Sequence, residues 1–167
     1  FLTYYKIPWR IRKVVPFELD DGVRLEENSS VSTWSLQLLK ILESELEHYR
    51  TVRRKHYRII EEQILSINLN IARPFFPFLP EDACPYLFPI RLHENIIESV
   101  YYRLNENGIP AQTWPDLPPE VKKAPLKHNT ANKLRRSILT LPVHQNLTRD
   151  QVEFMAQSLR KAILSAD

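Results

Sequence analysis

Between Ser32 and Ser66 the chain holds neither glycine nor proline, although thirteen prolines stand elsewhere in its 167 residues. Within that stretch Leu38, Leu42, Leu46, Tyr49, Val52, His56, Ile59 or Ile60, and Ile64 recur at spacings of three and four, the period of one helix face. Ser32 is placed to cap its start. About 33 helical residues at 1.5 Å each would make a rod of about 50 Å. A domain of this size cannot bury such a rod along its whole length. The spacing therefore predicts a helix that either breaks or spans between domains or partners. It divides the chain into an irregular or short-strand segment over 1–31, a long linking helix over 32–66 and a small α+β domain over 67–167.

Two glycines exclude several function classes. Phosphate-cradling loops need glycines that let backbone amides approach the ligand, and Gly22 and Gly108 stand alone. No dinucleotide-binding fingerprint or P-loop can be written. A net charge of +3, from 23 basic and 20 acidic residues, predicts no strongly basic binding surface. The one cysteine, Cys84, excludes an internal disulfide and is expected to be a small buried thiol. With no apolar run long enough to span a bilayer and no signal-peptide pattern, we expect a cytoplasmic protein without a membrane role. Phe1, not Met, opens the chain, so we expect that an upstream portion was cut away or left out.

Beyond the long helix, prolines 74, 77 and 80 predict an irregular connection over 67–84. Tyr86–Leu92 is a strand whose Pro89 points to an edge or a bulge. Residues 93–107 return to helix through Ile96, Ile97, Val100 and Leu104, with Gly108 where a C-terminal cap belongs. A short strand over Ile109–Trp114 follows, then a proline-rich loop over Trp114–Pro125. A helix over Asn129–Leu139 leads to an extended Leu141–His144. Thr148 opens a capping box, with Gln151 three residues on, for a last helix over Arg149–Leu164 whose Val152, Met155, Leu159 and Ile163 face inward. The expected class is α+β, a small antiparallel or mixed sheet covered by helices.

Phe88-Pro89-Ile90-Arg91, a helix ending in Asn107-Gly108-Ile109, a proline-containing loop, and then Leu139-Thr140-Leu141-Pro142-Val143-His144-Gln145-Asn146-Leu147-Thr148 before a terminal helix form an ordered set. This order resembles the C-terminal small domain of the DegT-type sugar aminotransferases. The resemblance implies the aspartate-aminotransferase-like fold, pyridoxal phosphate as the cofactor of the parent enzyme, and a homodimer. It also implies a cofactor-binding domain that this chain lacks, so no cofactor is expected on the chain alone. Asn28, ahead of Ser29-Ser30-Val31-Ser32, is similar to the family's asparagine that reaches the cofactor phosphate across the dimer. Here Ser30 and Val31 replace the family's arginine and methionine, and a turn or cap asparagine is the alternative. Lys13, in Ile11-Arg12-Lys13-Val14-Val15-Pro16, is in a context similar to that of the Schiff-base lysine. The alternative is a surface lysine. Trp114 opens a loop, Trp114-Pro115-Asp116-Leu117-Pro118-Pro119, that reads either as a proline-rich ligand for an aromatic groove or, as the resemblance implies, as a wall near the substrate.

Other constellations weigh less. His48 and His56 lie eight residues apart, two turns of helix, which is too far for a shared metal, so no metal site is expected. His144 is expected to pack and cap near the last helix. The adjacent carboxylates Asp20 and Asp21, or Glu26 and Glu27, are expected to be solvated turn residues. Arg50, Arg53, Arg54, Lys55 and Arg58 could line a phosphate backbone. Acidic neighbours and the lack of a base-reading module make nucleic acid the weaker alternative, behind a helical scaffold or protein-interaction module.

Overall fold

The computed structural model of the chain describes residues 30–67 and 70–166, so Lys13 and Asn28 lie outside the described residues. Its contacts divide the chain after Leu38. Ahead of that division, the Ser35 amide donates to the Ser32 hydroxyl at 3.1 Å and the Leu36 amide to the Ser32 carbonyl at 3.1 Å. The expected N-cap is therefore formed, and helix α1 runs over Thr33–Glu43 with no buried residue.

The predicted rod is two helices. A turn at Ser44–Glu45 separates α1 from α2 (Leu46–Leu65). Ser44 turns its hydroxyl back onto the Ile41 carbonyl at 3.0 Å, a bond that competes with helix propagation. Charge favours the same position. Glu43 and Glu45 oppose the negative C-terminal end of one helix, while Glu45 and Glu47 suit the positive start of the next. At 20 residues α2 is about 30 Å long. It buries His56, Tyr57, Ile60 and Ile64. The earlier part of the apolar stripe, Leu38, Leu42 and Leu46, stays exposed.

The remaining elements are β1 (Ala72–Pro74), β2 (Leu87–Leu92), α3 (Ile97–Glu106), β3 (Gln112–Thr113), α4 (Pro119–Lys123), α5 (Asn129–Ser137), β4 (Ile138–Pro142) and α6 (Arg149–Leu164). Among the described residues four strands pair antiparallel in the order β1-β2-β4-β3. This is the small helix-covered α+β sheet that the sequence predicted. Burial alternates along β2, placing Phe88, Ile90 and Leu92 on the inner face. Leu139 and Leu141 of β4 stand opposite Ile90 and Phe88 on that face. Over it lie α2 and α3, with α6 packed against both helices through Val152, Met155, Ala156, Leu159 and Ile163.

Several boundaries differ from expectation for identifiable reasons. The 67–84 connection is not wholly irregular. It contains β1, too short and too close to Pro74 to show a strand pattern. Pro89 does not sit on an edge or bulge, since β2 is an interior strand. The Phe75 amide donates to the Pro89 carbonyl at 3.0 Å, and a strand residue directs its N and O to the same side. The proline's missing donor therefore falls beyond the end of β1, and no bond to β4 is lost. The strand predicted over Ile109–Trp114 shrinks to Gln112–Thr113, and the loop after it winds one short helix, α4, with Pro119 at its first turn. The helix expected to reach Leu139 stops at Ser137, where the β-branched Ile138 turns extended and begins β4.

The caps behave as read. Gly108 has φ +76°, and the Gly108 and Ile109 amides bond back to the Asn105 and Leu104 carbonyls at 3.0 and 2.9 Å, which is the Schellman arrangement. The Gln151 amide donates to the Thr148 hydroxyl at 3.3 Å, while the Thr148 amide donates to the Gln151 side chain at 2.9 Å.

Candidate functional site

The Leu141–Thr148 turn, the strongest sequence cue, is bound to α2 from the side. The Arg53 Nε–H donates to Gln145 Oε1 at 2.8 Å. His56 Nδ1 lies 3.1 Å from the His144 carbonyl, which makes it the protonated nitrogen of the ring. The Asn146 amide donates to His144 Nδ1 at 3.2 Å. His144 is thus a half-buried turn residue just ahead of the α6 cap, as expected of it.

The arginine face of α2 is also largely spent inside the chain. Arg54 donates to the Pro80 and Ala83 carbonyls, and Arg50 to the Glu81 carbonyl at 3.3 Å and to Glu47 at 2.7 Å. Glu47 raises the Arg50 pKa through that hydrogen bond and its charge. Arg53 also lies 5.9 Å from the centre of the Tyr86 ring. Lys55 and Arg58 are exposed. The loop these arginines hold carries Cys84, and here expectation fails: the thiol is exposed, because three flanking carbonyls are drawn toward the helix and the side chain is left outside.

Trp114 follows β3, its amide donating to the Ile138 carbonyl at 3.3 Å, and the residue is 37% exposed. The loop beyond it is pinned by Asp116, which accepts from Lys122 at 2.6 Å and from the Leu117 amide at 3.0 Å. The Lys122 bond, then the Leu117 amide, hold the Asp116 carboxyl below the usual carboxylate range. Next to Thr113, the residue before Trp114, opens a cavity of about 610 Å³ lined by Ile97, Tyr101, Tyr102, Arg135 and Arg136, with Glu94 and Glu98. The two tyrosine rings meet edge to face at 5.5 Å, and Arg135 donates to the Thr113 hydroxyl at 3.2 Å. An apolar wall with a few charged groups suits a polar organic ligand. Sequence reasoning missed this cavity. Its signal was Tyr101 and Arg135, on two helices separated by more than thirty residues, which only the sheet brings together.

The pyridoxal phosphate implied by the resemblance needs a lysine kept out of water and an acid paired with the ring nitrogen. Among the described residues every lysine and every aspartate is exposed. The described residues therefore supply neither group. Nor do they hold a cluster of His, Cys, Asp or Glu able to bind a metal. No helix among them is long and apolar enough to cross a membrane.

No family model matches the chain, and no curated protein matches it in sequence. Solved structures do match its fold. An aminotransferase, TlmJ, from Streptoalloteichus hindustanus superposes with a TM-score of 0.68 at 17% identity, covering 80% of this chain and 36% of its own. The Helicobacter pylori aminotransferase PseC, involved in pseudoaminic acid biosynthesis, gives 0.63 at 20% identity, covering 78% and 36%. A DegT DnrJ EryC1 StrS aminotransferase from Brucella abortus gives 0.65 at 20% identity, covering 80% and 36%. The chain thus has the fold of part of an aspartate-aminotransferase-like enzyme, and it spans about a third of the length of these relatives.

Proposed function

We propose that the chain is the C-terminal portion of a pyridoxal-phosphate-dependent aminotransferase resembling the sugar aminotransferases. In the whole enzyme an amino donor gives its amine to the cofactor, which passes it to a keto sugar carried on a nucleotide. This portion closes the active site, shapes the substrate pocket through the Trp114 loop, and supports a homodimer in the cytoplasm. Alone it is inactive. The observation that carries the reading is the match of 80% of this chain to about 36% of such an aminotransferase. Thr113, just before the Trp114 loop, lines a tyrosine-walled cavity, which supports a substrate role for that loop. Lys13 as the Schiff-base lysine and Asn28 as the phosphate contact belong to this proposal.

Titration of the chain with pyridoxal phosphate tests it, with no stable visible absorbance expected. A firm Schiff base abolished by Lys13→Ala would overturn the inactivity. The coding sequence upstream of Phe1, read in frame, is expected to encode an α/β cofactor domain, and a different fold there would sink the assignment.

A second reading, a helical interaction module, rests on one observation. Trp34, Leu39, Ile41, Leu42 and Leu46 are all exposed on and beside α1. Nucleic-acid binding loses support because Arg50, Arg53 and Arg54 are engaged with the chain's own residues.

A further inference from the structure

Arg73 of β1 stands directly opposite Arg91 of β2. The flanking bonds, His93 amide to Ile71 carbonyl at 3.0 Å and Phe75 amide to Pro89 carbonyl at 3.0 Å, fix the alternation of the ladder. They make Arg73 and Arg91 a hydrogen-bonded pair, with Cα atoms about 5.5 Å apart and both side chains on one face. That face is the outer one, since Ala72 and Leu92, their neighbours along the strands, point into the core. Like charges directly opposed across a ladder repel.

Nothing among the described residues relieves the repulsion. Among the described residues neither arginine takes part in an ion pair or a side-chain hydrogen bond. Both instead line a cavity of about 570 Å³, with Lys133 of α5, His93 and Ser137. Lys133 adds a third cation without an ion pair, and Ser137 is turned away, donating its hydroxyl to the Lys133 carbonyl at 2.7 Å. The one carboxylate on the wall among the described residues is Glu94, exposed and in no ion pair. Among the described residues, three fixed cations against one carboxylate leave the cavity net positive. Arg91 is half-buried and Arg73 exposed, so the pair presents one guanidinium held against the sheet and another free to close from the edge.

We propose that this cavity is a binding site for the phosphoryl group of a small phosphorylated ligand. A tetrahedral dianion takes two guanidinium forks at once and cancels the repulsion between them, while Lys133 meets a third oxygen as a point charge. A single carboxylate would offer two oxygens to three cations. The site does not depend on the aminotransferase reading and can fail separately from it.

Calorimetric titration of the full chain with inorganic phosphate and with pyrophosphate, at constant ionic strength, tests the proposal. One saturable site is expected, weakened at least tenfold by Arg91→Gln and by Arg73→Gln, and unchanged by Lys55→Gln on the exposed face of α2. Without phosphate, Arg73→Gln is expected to raise the melting temperature, as the repulsion is gone. This edge variant carries the test if Arg91→Gln does not fold. Absence of saturable binding, equal weakening by Lys55→Gln, or equal affinity for acetate would overturn the phosphoryl site.

Discussion

Arg53 and Gln145, 92 residues apart in sequence, are joined by a 2.8 Å hydrogen bond that ties the middle of α2 to the turn before α6. The bond is partly buried and charged on one side, and the arginine also faces the Tyr86 ring. Arg53→Ala is expected to cost about 1–2 kcal/mol in urea unfolding. Combined with Gln145→Ala, it should show a coupling of about 1 kcal/mol in a double-mutant cycle. Strictly additive single effects would show that the two side chains do not act together.

Tyr57 is 1% exposed, packed edge to face on Phe88 at 4.6 Å, and its hydroxyl finds no partner among the described residues. Tyr57→Phe removes an unsatisfied buried group and is expected to stabilise the chain by about 1 kcal/mol. Burial first, then the nearby Glu61, lifts the Tyr57 hydroxyl from 10 to about 12. In the unfolded chain it ionises near 10, so the unfolded state is favoured as pH climbs from there. Stability should be intact well below pH 10 and fall by about 2 kcal/mol by pH 12. Chemical denaturation across that window should show the phenylalanine variant losing less than the parent.

At Gly108 a side chain would meet nothing within 4 Å, yet φ is +76°. Gly108→Ala therefore isolates the backbone term, an expected loss of about 1 kcal/mol with the sheet and helices intact by circular dichroism. An unchanged melting temperature would contradict the cap.

Leu42 and Leu46 are 39% and 53% exposed, and Ile41 is 68% exposed. Leu42→Asp or Leu46→Asp removes apolar surface from water without opening a cavity. If this face supports the proposed dimer, sedimentation should show an assembly that grows with concentration in the parent and is lost in either variant, with thermal stability unchanged. A parent that stays monomeric at every concentration would refute a role in self-association.

Much of the architecture was legible because local chemistry specified it. The Thr148 and Gly108 caps and the inward face of α6 each follow from a few adjacent residues. What escaped depended on partners distant in sequence. Nothing local tells β1 from loop, because its three residues are a strand only when β2 is beside them. Pro89 was misplaced because the side to which a proline turns its missing donor is set by register. Cys84 was misjudged for a similar reason: its exposure depends on arginines thirty residues upstream. At the candidate site, the tyrosine and arginine cavity could not be read locally, because it forms only where two helices meet.

Both outer strands of the sheet are stunted, β1 at three residues and β3 at two. Pro74 ends β1, and Pro89 withholds the donor that a longer β1 would need. A neighbouring chain seeking to add a strand finds at most three ladder positions on one side and two on the other, with Arg73 in the middle of the longer edge. Among the described residues the sheet thus closes its own margins by brevity, and growth by strand addition finds only a few positions to pair with.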